Sequence, residues 1–259
     1  MLISVLLATY NWPQALALSL QSLRGQIDLN FEIIIVDDGS RDETRQIISQ
    51  FQTEFPVPIR HLWQEDLGFR KSRILNQGIA QAHGDYLVFL DGDCITQPDF
   101  IAQHRNLAAP KHLVTGSRIL CDEKFTNFLI ASGQWAGLSS WQVLEWRLHR
   151  KINKCLPLFI KVPDNSFRVY SKFVWRRIKG CNMACWKCDA QAIGGFDEKL
   201  VGWGHEDADF VFRLQNHQKV LRKSGAFATE IFHLWHPQGD RTLAERNAAA
   251  VRAKILAKG

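Results

Sequence analysis

In the stretch YLVFLDGDC (residues 86–94), a run of five apolar residues is followed by two carboxylates, Asp91 and Asp93. Such a run is typical of a strand that is buried on both faces of a sheet. If the extended conformation persists past Leu90, side chains alternate and both carboxylates point the same way. Two adjacent anions without a basic neighbour repel each other. The motif therefore predicts a divalent cation at the end of this strand.

Three further stretches place acids or histidines at the expected end of a strand or start of a helix. They are VDDGS at 36–40, GWGHEDADF at 202–210 and FHLWH at 232–236. Acids at such positions are also common helix caps, so each stretch alone is weak evidence for a site. Their combined order along the chain carries more weight.

Strand and helix signals alternate through the first 120 residues. Local signals predict that Asn11 caps a helix with Pro13 in its first turn, and that Ser40 and Glu43 form a capping box. We expect strands at 2–8, 31–36, 59–63, 85–90 and 113–120, and helices after Asn11, through about Thr53, at 70–82 and at 98–107.

This alternation predicts right-handed crossovers and a mainly parallel sheet. Ligands of such sheets bind beyond the carboxyl ends of the strands. The stretches ATYN (8–11), DDGS and DGD would then share one edge of the sheet.

The pattern changes after Leu120. Residues 121–178 contain four tryptophans, and SSWQVLEWRLHRKI has helical periodicity. Alternation then returns, with GCNMACW as a strand, HEDADFVFRLQN as a helix, FATEIFHLWH as a strand and a C-terminal helix from about Arg241.

Charge is concentrated in one part of the chain. The formal net charge is +6, but residues 121–180 alone carry eleven Lys and Arg against four Asp and Glu. The rest of the chain is close to neutral, which argues against a uniformly basic, nucleic-acid-binding protein. Six scattered cysteines are too few for a disulfide scaffold of 259 residues.

The first residues, MLISVLLATYNWP, have no basic region or small-residue cleavage site. We therefore expect a first strand rather than a signal peptide. No apolar run approaches the roughly 20 residues that a membrane span needs. These features predict a reduced, cytoplasmic protein.

Eight stretches, in this order, resemble the family 2 glycosyltransferases of the GT-A fold, closest to the bacterial chondroitin-polymerase-type and galactosyltransferase-like branch. The resemblance covers most of the chain except 121–178. The stretches are ATYN (8–11), VDDGS (36–40), QEDLGFRKSR (64–73), FLDGDC (89–94), GCNM (180–183), GGFDE (194–198), GWGHED (202–207) and FHLWHP (232–237).

The resemblance implies one α/β domain over residues 1–259, a GT-A fold with a mainly parallel mixed sheet and a helical insertion. Residues 1–120 would form the nucleotide-sugar-binding half, 121–178 a basic, Trp-rich insertion, and 179–259 the acceptor and catalytic half. Its implied activity is the metal-dependent, inverting transfer of a sugar from a UDP-sugar to a glycan or lipid-linked glycan, in surface polysaccharide or lipopolysaccharide synthesis.

The resemblance also implies the metal and the catalytic groups. Asp93 would bind Mn²⁺ or Mg²⁺, with an imidazole favouring Mn²⁺. His233 is the preferred imidazole, and His236 is the alternative. Asp207 would act as the general base, while Glu206 holds the acceptor by hydrogen bonds.

Further contacts are implied for both substrates. Trp203 would offer an apolar face to an acceptor sugar. We expect these residues to contact the donor: Ala8, Tyr10, Asn11, Asp38, Asp91 and Arg73. Tyr10 would stack on a uracil. Arg70 and Arg73 would face either phosphate oxygens or solvent. Family members often have Arg-Asn where this chain has Leu75-Asn76, so the phosphate contacts depart from the common pattern.

Other functions remain open on sequence alone. Cys181, Cys185 and Cys188 have the C-x3-C-x2-C spacing of an iron–sulfur site, although strand alternation would direct the first two into a core. FLDGDCIT resembles the first motif of haloacid-dehalogenase-type phosphatases, but occurs on the fourth expected strand. A carbohydrate-binding or inactive transferase-like module is a third alternative.

Three roles are compatible with the Trp-rich segment at 121–178. Its tryptophans and basic residues suit a helix at the surface of an anionic membrane, which predicts peripheral contact with the inner face of the membrane. An acceptor-site lid and ordinary packing against the sheet are the alternatives.

Overall fold

The computed structural model describes residues 1–257 except 136, 138 and 238, so those three and residues 258 and 259 lie outside the described part of the predicted domain. The strands are β1 (Ile3–Thr9), β2 (Phe31–Asp37), β3 (Ile59–Trp63), β4 (Tyr86–Asp91), β5 (Cys94–Thr96), β6 (His112–Thr115), β7 (Ser117–Leu120), β8 (Val169–Tyr170), β9 (Asn182–Trp186), β10 (Leu221–Ser224) and β11 (Glu230–His233). The α-helices are α1 (Pro13–Arg24), α2 (Asp42–Glu54), α3 (Lys71–Gln81), α4 (Phe100–Leu107), α5 (Glu123–Ser132), α6 (Ser140–Leu148), α7 (Leu156–Phe159), α8 (Lys187–Ala192), α9 (Glu206–His217) and α10 (Ala244–Leu256).

Eight strands form a mixed sheet in the order β3-β2-β1-β4-β9-β6-β10-β8. The strands from β3 to β4 are parallel, and β9 runs antiparallel between β4 and β6. The α/β class, the mainly parallel mixed sheet and a helical segment after Leu120 are therefore confirmed.

Strand β1 shows why the centre of the sheet was readable from sequence. Val5 and Leu7 pack into one apolar cluster, whereas Leu6 and Ala8 pack into another. Because successive side chains of a strand point to opposite faces, these are the two faces of the sheet. A strand buried on both faces must be apolar at most positions, as β1, β2 and β4 are. The buried polar pair Ser4 and Glu32 is joined by a hydrogen bond (2.6 Å).

A second, three-stranded sheet has the order β5-β11-β7. The single strand expected over 113–120 is wrong, because the chain divides at Gly116 into β6 in the large sheet and β7 in the small one. A Cβ atom on Gly116 would lie only 2.1 Å from Cγ of Asn182. The Asn182 amide donates hydrogen bonds to the backbone oxygens of Ser117 (3.2 Å) and Thr229 (2.5 Å), which ties the two sheets together.

The Trp-rich segment packs against the small sheet. Phe125 and Leu129 of α5 and Val143 of α6 share a buried cluster with Phe232 of β11. The ring of Trp135 lies 5.4 Å from that of Phe232. Part of the segment therefore supports the strand that carries His233. Among the described residues, no helix combines the length and apolar character that spanning a membrane requires.

Two predicted helix caps are wrong. Helix α1 begins after Trp12 and α2 after Arg41, and neither has a side-chain cap. Asn11 and Ser40 instead link the loops after β1 and β2. The Asn11 backbone N–H donates to Ser40 Oγ (2.9 Å), and Asn11 Oδ1 accepts from the backbone N–H of Arg41 (2.9 Å).

Candidate active site

The chain turns directly after Asp91, where β4 ends. The Gly92 N–H donates to the carbonyl oxygen of Ala8 on β1 (2.7 Å), and a Cβ at Gly92 would approach that oxygen to 3.0 Å. Extended conformation thus does not persist through the DGD motif. The expectation that Asp91 and Asp93 project alike from one continuous strand is wrong, and each carboxylate has its own partners.

Asp91 has a basic neighbour that the sequence analysis missed. Lys71, the first residue of α3, forms an ion pair with Asp91 Oδ1. Burial alone would lower the pKa of Lys71, but the charges of Asp91 and Glu206 raise it above its usual value. Lys71 therefore neutralises Asp91, and the assumption that both acids lack a positive neighbour is wrong.

The second carboxylate of the motif, Asp93, faces two histidines. Strand β11 pairs with β5 so that His233 lies opposite Cys94, and the Leu234 N–H donates to the Asp93 carbonyl oxygen (3.0 Å). Oδ2 of Asp93 lies 3.8 Å from Nε2 of His233 and 3.4 Å from Nε2 of His236. We call Asp93, His233 and His236 the metal corner.

Hydrogen bonds define the tautomers of both histidines in the metal corner. Nδ1 of His233 lies 2.9 Å from the carbonyl oxygen of Leu234, and Nδ1 of His236 lies 2.7 Å from that of Pro237. A carbonyl oxygen only accepts, so each Nδ1 carries a proton. In the neutral rings both Nε2 atoms then present lone pairs to a carboxylate oxygen.

Three acceptors that converge without a donor between them fit a cation. The donor set of one carboxylate and two imidazoles suits Mn²⁺ and, less well, Mg²⁺, which prefers oxygen ligands. Both Nε2 atoms face Asp93, so the geometry favours two histidines as ligands where the sequence analysis preferred His233 alone.

Glu206 and Asp207 lie at the start of α9. The loop before them takes left-handed backbone angles at Gly202, Gly204 and His205, with φ of 86°, 104° and 77°. Asp207 Oδ2 accepts from the Gly180 N–H (2.8 Å) and Oδ1 from the Ala208 N–H (2.7 Å). These bonds hold the carboxylate in one orientation, in the first turn of the helix where the dipole favours an anion.

Glu206 occupies a less polar environment than its neighbour. Burial, and then the charge of Asp207, raise the pKa of Glu206 to about 7. Its Oε2 atom is buried and has no hydrogen-bond partner among the described residues. One cavity brings this carboxyl group together with other expected site residues; its polar and small lining residues include Ala8, Lys71, Asp91, Gly180, Glu206 and Asp207.

Trp203 remains partly exposed at the rim of the loop before α9. Its ring lies 4.8 Å below the guanidinium carbon of Arg241, a cation–π contact. Asn247 of α10 is buried and donates to the carbonyl oxygens of Val201 (3.1 Å) and Gly204 (3.2 Å). The last helix thereby holds this loop in place, which sequence reasoning did not foresee.

The residues after β1 and β2 form a separate group. Asp38 is buried, which raises its pKa, and it accepts hydrogen bonds from Gln64 Nε2 (2.5 Å) and the Arg70 N–H (2.8 Å). The exposed Tyr10 donates to Asp66 Oδ2 (2.8 Å). Asp38 thus orders the 64–70 loop beside Tyr10 and Asn11.

Arg73 is not brought to the cavity. Lys71 and Leu75, one helical turn apart, both line it, and Arg73 is exposed. A residue two positions after Lys71 projects roughly 200° around the helix from it. An i, i+4 comparison along α3 would have distinguished Lys71 from Arg73.

The three cysteines at 181–188 are separated by the sheet. Cys181 belongs to the apolar cluster on one face, Cys185 to the cluster on the other, and Cys188 is exposed. The expectation that Cys181 and Cys185 point alike is wrong, because β9 begins only at Asn182. This arrangement does not suit a shared iron–sulfur cluster.

Comparison with protein families gives two matches. Residues 4–178 match the model of glycosyl transferase family 2, and residues 165–237 match the N-terminal domain of galactosyltransferase. The second match contains Glu206, Asp207 and both histidines of the metal corner.

Two curated relatives show the range of similar proteins. Validoxylamine A glucosyltransferase of Streptomyces hygroscopicus subsp. jinggangensis is 28% identical over 232 residues, which cover 83% of this chain and 52% of that protein. Chondroitin synthase of Escherichia coli is 26% identical over 246 residues, which cover 87% of this chain and 34% of the synthase. The chain therefore spans about half or less of the length of these relatives.

Solved structures share the architecture. S. aureus TarS 1-349 in complex with UDP-GlcNAc aligns with a TM-score of 0.61 at 16% identity, covering 99% of this chain and 67% of that one. GalNAc-T7 with UDP, GalNAc and Mn²⁺ aligns with a TM-score of 0.65 at 13% identity, covering 98% and 48%. These likenesses confirm the GT-A fold. With the family model matched over 175 of its 259 residues, the chain belongs to glycosyl transferase family 2.

Proposed function

We propose that this chain binds a UDP-sugar at the edge of β1, β2 and β4 and transfers the sugar, with inversion, to a hydroxyl group of a glycan. The reaction would require Mn²⁺ or Mg²⁺ at the metal corner. Residues 1–120 would supply most donor contacts, and residues 179–259 the acceptor contacts and the base.

One observation carries the proposal. Asp93 Oδ2 and the Nε2 atoms of His233 and His236 converge as acceptors. Asp93 belongs to the same DGD turn as Asp91, which lines the cavity that contains Glu206 and Asp207. A cation bound at this corner would stabilise negative charge on a departing nucleotide diphosphate.

Several residues suit the donor. Ala8 lines the cavity at the end of β1, and the exposed ring of Tyr10 offers a stacking face to a uracil. Asp38 and Asn11, which order the loops around that ring, would bind the edge of the base. Asp91 would meet the ribose, with its orientation set by Lys71. Arg73 would contact the donor only if α3 or its side chain reoriented, so we assign the cationic role at this helix to Lys71.

Asp207 would accept the proton of the attacking hydroxyl group. A general base must lie within hydrogen-bond reach of that proton. Its two backbone contacts leave further lone pairs on both oxygens, which can face the cavity. Glu206 Oε2, which is buried without a partner, would bind the acceptor, and Trp203 would pack against a sugar ring.

The acceptor class is inferred from relatives. Chondroitin and hyaluronan synthases are among the matched proteins, as is a glucosyltransferase named for validoxylamine A. A growing surface polysaccharide or a lipid-linked glycan is the acceptor we propose.

Peripheral contact with an anionic membrane is a further part of the proposal. Trp141, Leu144 and Leu148 are exposed and share one face of α6, since they are spaced i, i+3 and i+7. Arg147 and Arg150 are exposed beside this face. An apolar helix face flanked by cations suits the surface of an anionic bilayer.

Liposome sedimentation tests the membrane contact. The intact chain should sediment with anionic vesicles at low salt, and replacing Leu148 and Trp141 together by Ser should weaken this at least several-fold. Replacing the exposed Phe167, which lies outside α6, by Ser is the matched control. Equal binding to neutral vesicles, or no effect of the double change, would contradict the assignment.

Donor binding tests the function itself. Calorimetry should detect UDP binding with Mn²⁺ present and none without it, and a screen of UDP-sugars should give Mn²⁺-dependent UDP release. The His236→Ala variant should bind UDP no more tightly with Mn²⁺ than without it. His112→Ala is a matched control, because His112 Nδ1 also contacts a backbone carbonyl oxygen (2.8 Å) but lies outside the site. Binding of a free sugar with no response to UDP would instead favour a carbohydrate-binding module.

A further inference from the structure

Two buried thiols lie directly next to the metal corner. Cys94 follows Asp93 and is fully buried, and Cys181, just before β9, is only 4% exposed. The sulfur atoms of Cys94 and Cys181 and a ring nitrogen of His233 all lie within 4.8 Å of one another. None of the roles assigned above uses either cysteine.

The small sheet accounts for this arrangement. Antiparallel pairing of β11 with β5 places His233 opposite Cys94. The Cys94 thiol donates to Asp93 Oδ1 over 3.4 Å, whereas Asp93 Oδ2 faces the two histidines. Asp93 therefore has Oδ1 next to the Cys94 thiol and Oδ2 next to the two histidines. His233 lies close both to Asp93 and His236 and to the two thiols.

We propose that Cys94, Cys181 and His233 form a second metal site that selects soft ions such as Zn²⁺ or Cd²⁺. Thiolates prefer such ions, whereas the metal corner offers only oxygen and nitrogen. Zn–S bonds of about 2.3 Å place two sulfurs of a tetrahedral site roughly 3.8 Å apart, which is compatible with the observed limit.

Binding would exchange protons for the ion. Each thiol loses its proton to solvent as its sulfur binds the metal, so one divalent ion releases two protons and no oxidant is needed. The two sites share His233. A soft ion at the thiols would therefore exclude Mn²⁺ from the metal corner, and its effect on sugar transfer rests on the proposed function.

Cadmium is a direct probe of the thiol site. Cd²⁺ added to metal-free protein should give, at one equivalent, an ultraviolet thiolate-to-metal charge-transfer band. The ¹¹³Cd NMR shift of the unmodified chain should indicate two sulfur ligands. Cys94→Ala and Cys181→Ala should each lose the band, whereas Cys188→Ala, which removes an exposed thiol, should retain it.

A shift that indicates only nitrogen and oxygen ligands would overturn the proposal, and so would a band that depends on Cys188. The NMR measurement needs no variant and stands even if a cysteine variant fails to fold.

Competition tests the sharing of ligands. Mn²⁺ binding, followed by the electron paramagnetic resonance of the free ion, should weaken at least tenfold after one equivalent of Zn²⁺ is bound. Simultaneous binding of both ions would show that the sites share no ligand. If Mn²⁺ never binds but the Cd²⁺ band forms, the proposed function fails and the thiol site remains.

Discussion

Two pairs of acids lie at the ends of β2 and β4, the two parallel strands that flank β1, and the surroundings of the two pairs differ. Asp37 and Asp38 close β2, where protein donors occupy their oxygens: His61 and the Ser40 N–H at Asp37, Gln64 and the Arg70 N–H at Asp38. Asp91 and Asp93 close β4. Lys71 neutralises the first, but the second faces the Nε2 atoms of two histidines whose Nδ1 atoms contact backbone carbonyl oxygens.

The difference shows that similar motifs can have different tasks. The first pair orders the loops that would hold a nucleotide base, so its contribution is largely to folding. At the second pair, Asp93 keeps an unsatisfied acceptor arrangement that only a cation or protonation completes. We therefore expect changes after β2 to reduce stability, and changes at the metal corner to reduce binding and turnover.

The largest effect is expected at Asp207, and the effects at the two pairs of acids are compared with it. Asp207→Asn should lower the rate of transfer by about 10³-fold, because general bases typically contribute 10²–10⁴-fold. UDP affinity should remain nearly unchanged. Steady-state kinetics and calorimetry would check both, and substantial residual turnover would remove Asp207 from the role of base.

The comparison itself is tested by one substitution in each pair. Asp93→Asn should weaken Mn²⁺ binding by about 100-fold, equivalent to about 2.7 kcal/mol, with little change in unfolding free energy. Asp38→Asn should cost about 2 kcal/mol of unfolding free energy, because a buried donor loses its acceptor. Urea denaturation of both variants would measure the loss of unfolding free energy, and Mn²⁺ titration would measure the loss of metal affinity. If Asp93→Asn proved the more destabilising of the two, the division of tasks would be wrong.

Lys71 distinguishes neutralisation from simple packing within the second pair. Lys71→Met should destabilise the fold by about 2 kcal/mol, since it leaves Asp91 partly buried without a counterion. Adding Asp91→Asn should restore most of that loss. Denaturation of the two single variants and the double variant would measure the coupling, and purely additive losses would show that the ion pair has no net role.

The last prediction concerns the pH dependence of stability at Glu206. Its raised pKa means that the unfolded chain loses this proton first, so stability falls as pH rises from about 4.5 to about 7. Glu206→Gln should remove a loss of up to about 3 kcal/mol across that window. Urea unfolding at pH 5 and pH 7.5 would compare the variant with the wild-type chain. Identical pH dependence in both would contradict the buried environment assigned to this carboxyl group.

The sequence predicted the central strands well, for a local reason. β1, β2 and β4 are buried on both faces, so nearly every residue had to be apolar, and their boundaries differ from the predicted ones by about one residue. Asn11 and Ser40 failed as cap predictions because their partners lie about 30 residues away in another loop. A local capping rule cannot detect such a contact.

The candidate site was predictable by residue type but not by pairing. Asp93, His233, Glu206 and Asp207 were identified from motifs, and the structure brings them to one edge. Lys71 was missed because its partner Asp91 is 20 residues away, and only the packing of α3 against the sheet brings them together. The choice between His233 and His236 depended on ring orientation, which backbone carbonyl contacts determine.

The most direct measurement is the position of the metal in a crystal soaked with UDP and Mn²⁺, located by anomalous scattering. We predict the ion bonded to Asp93 and to Nε2 of His233 and His236, with Asp207 facing the open cavity beside the diphosphate. A manganese ion remote from Asp93, or Asp207 turned away and buried, would contradict the proposed function.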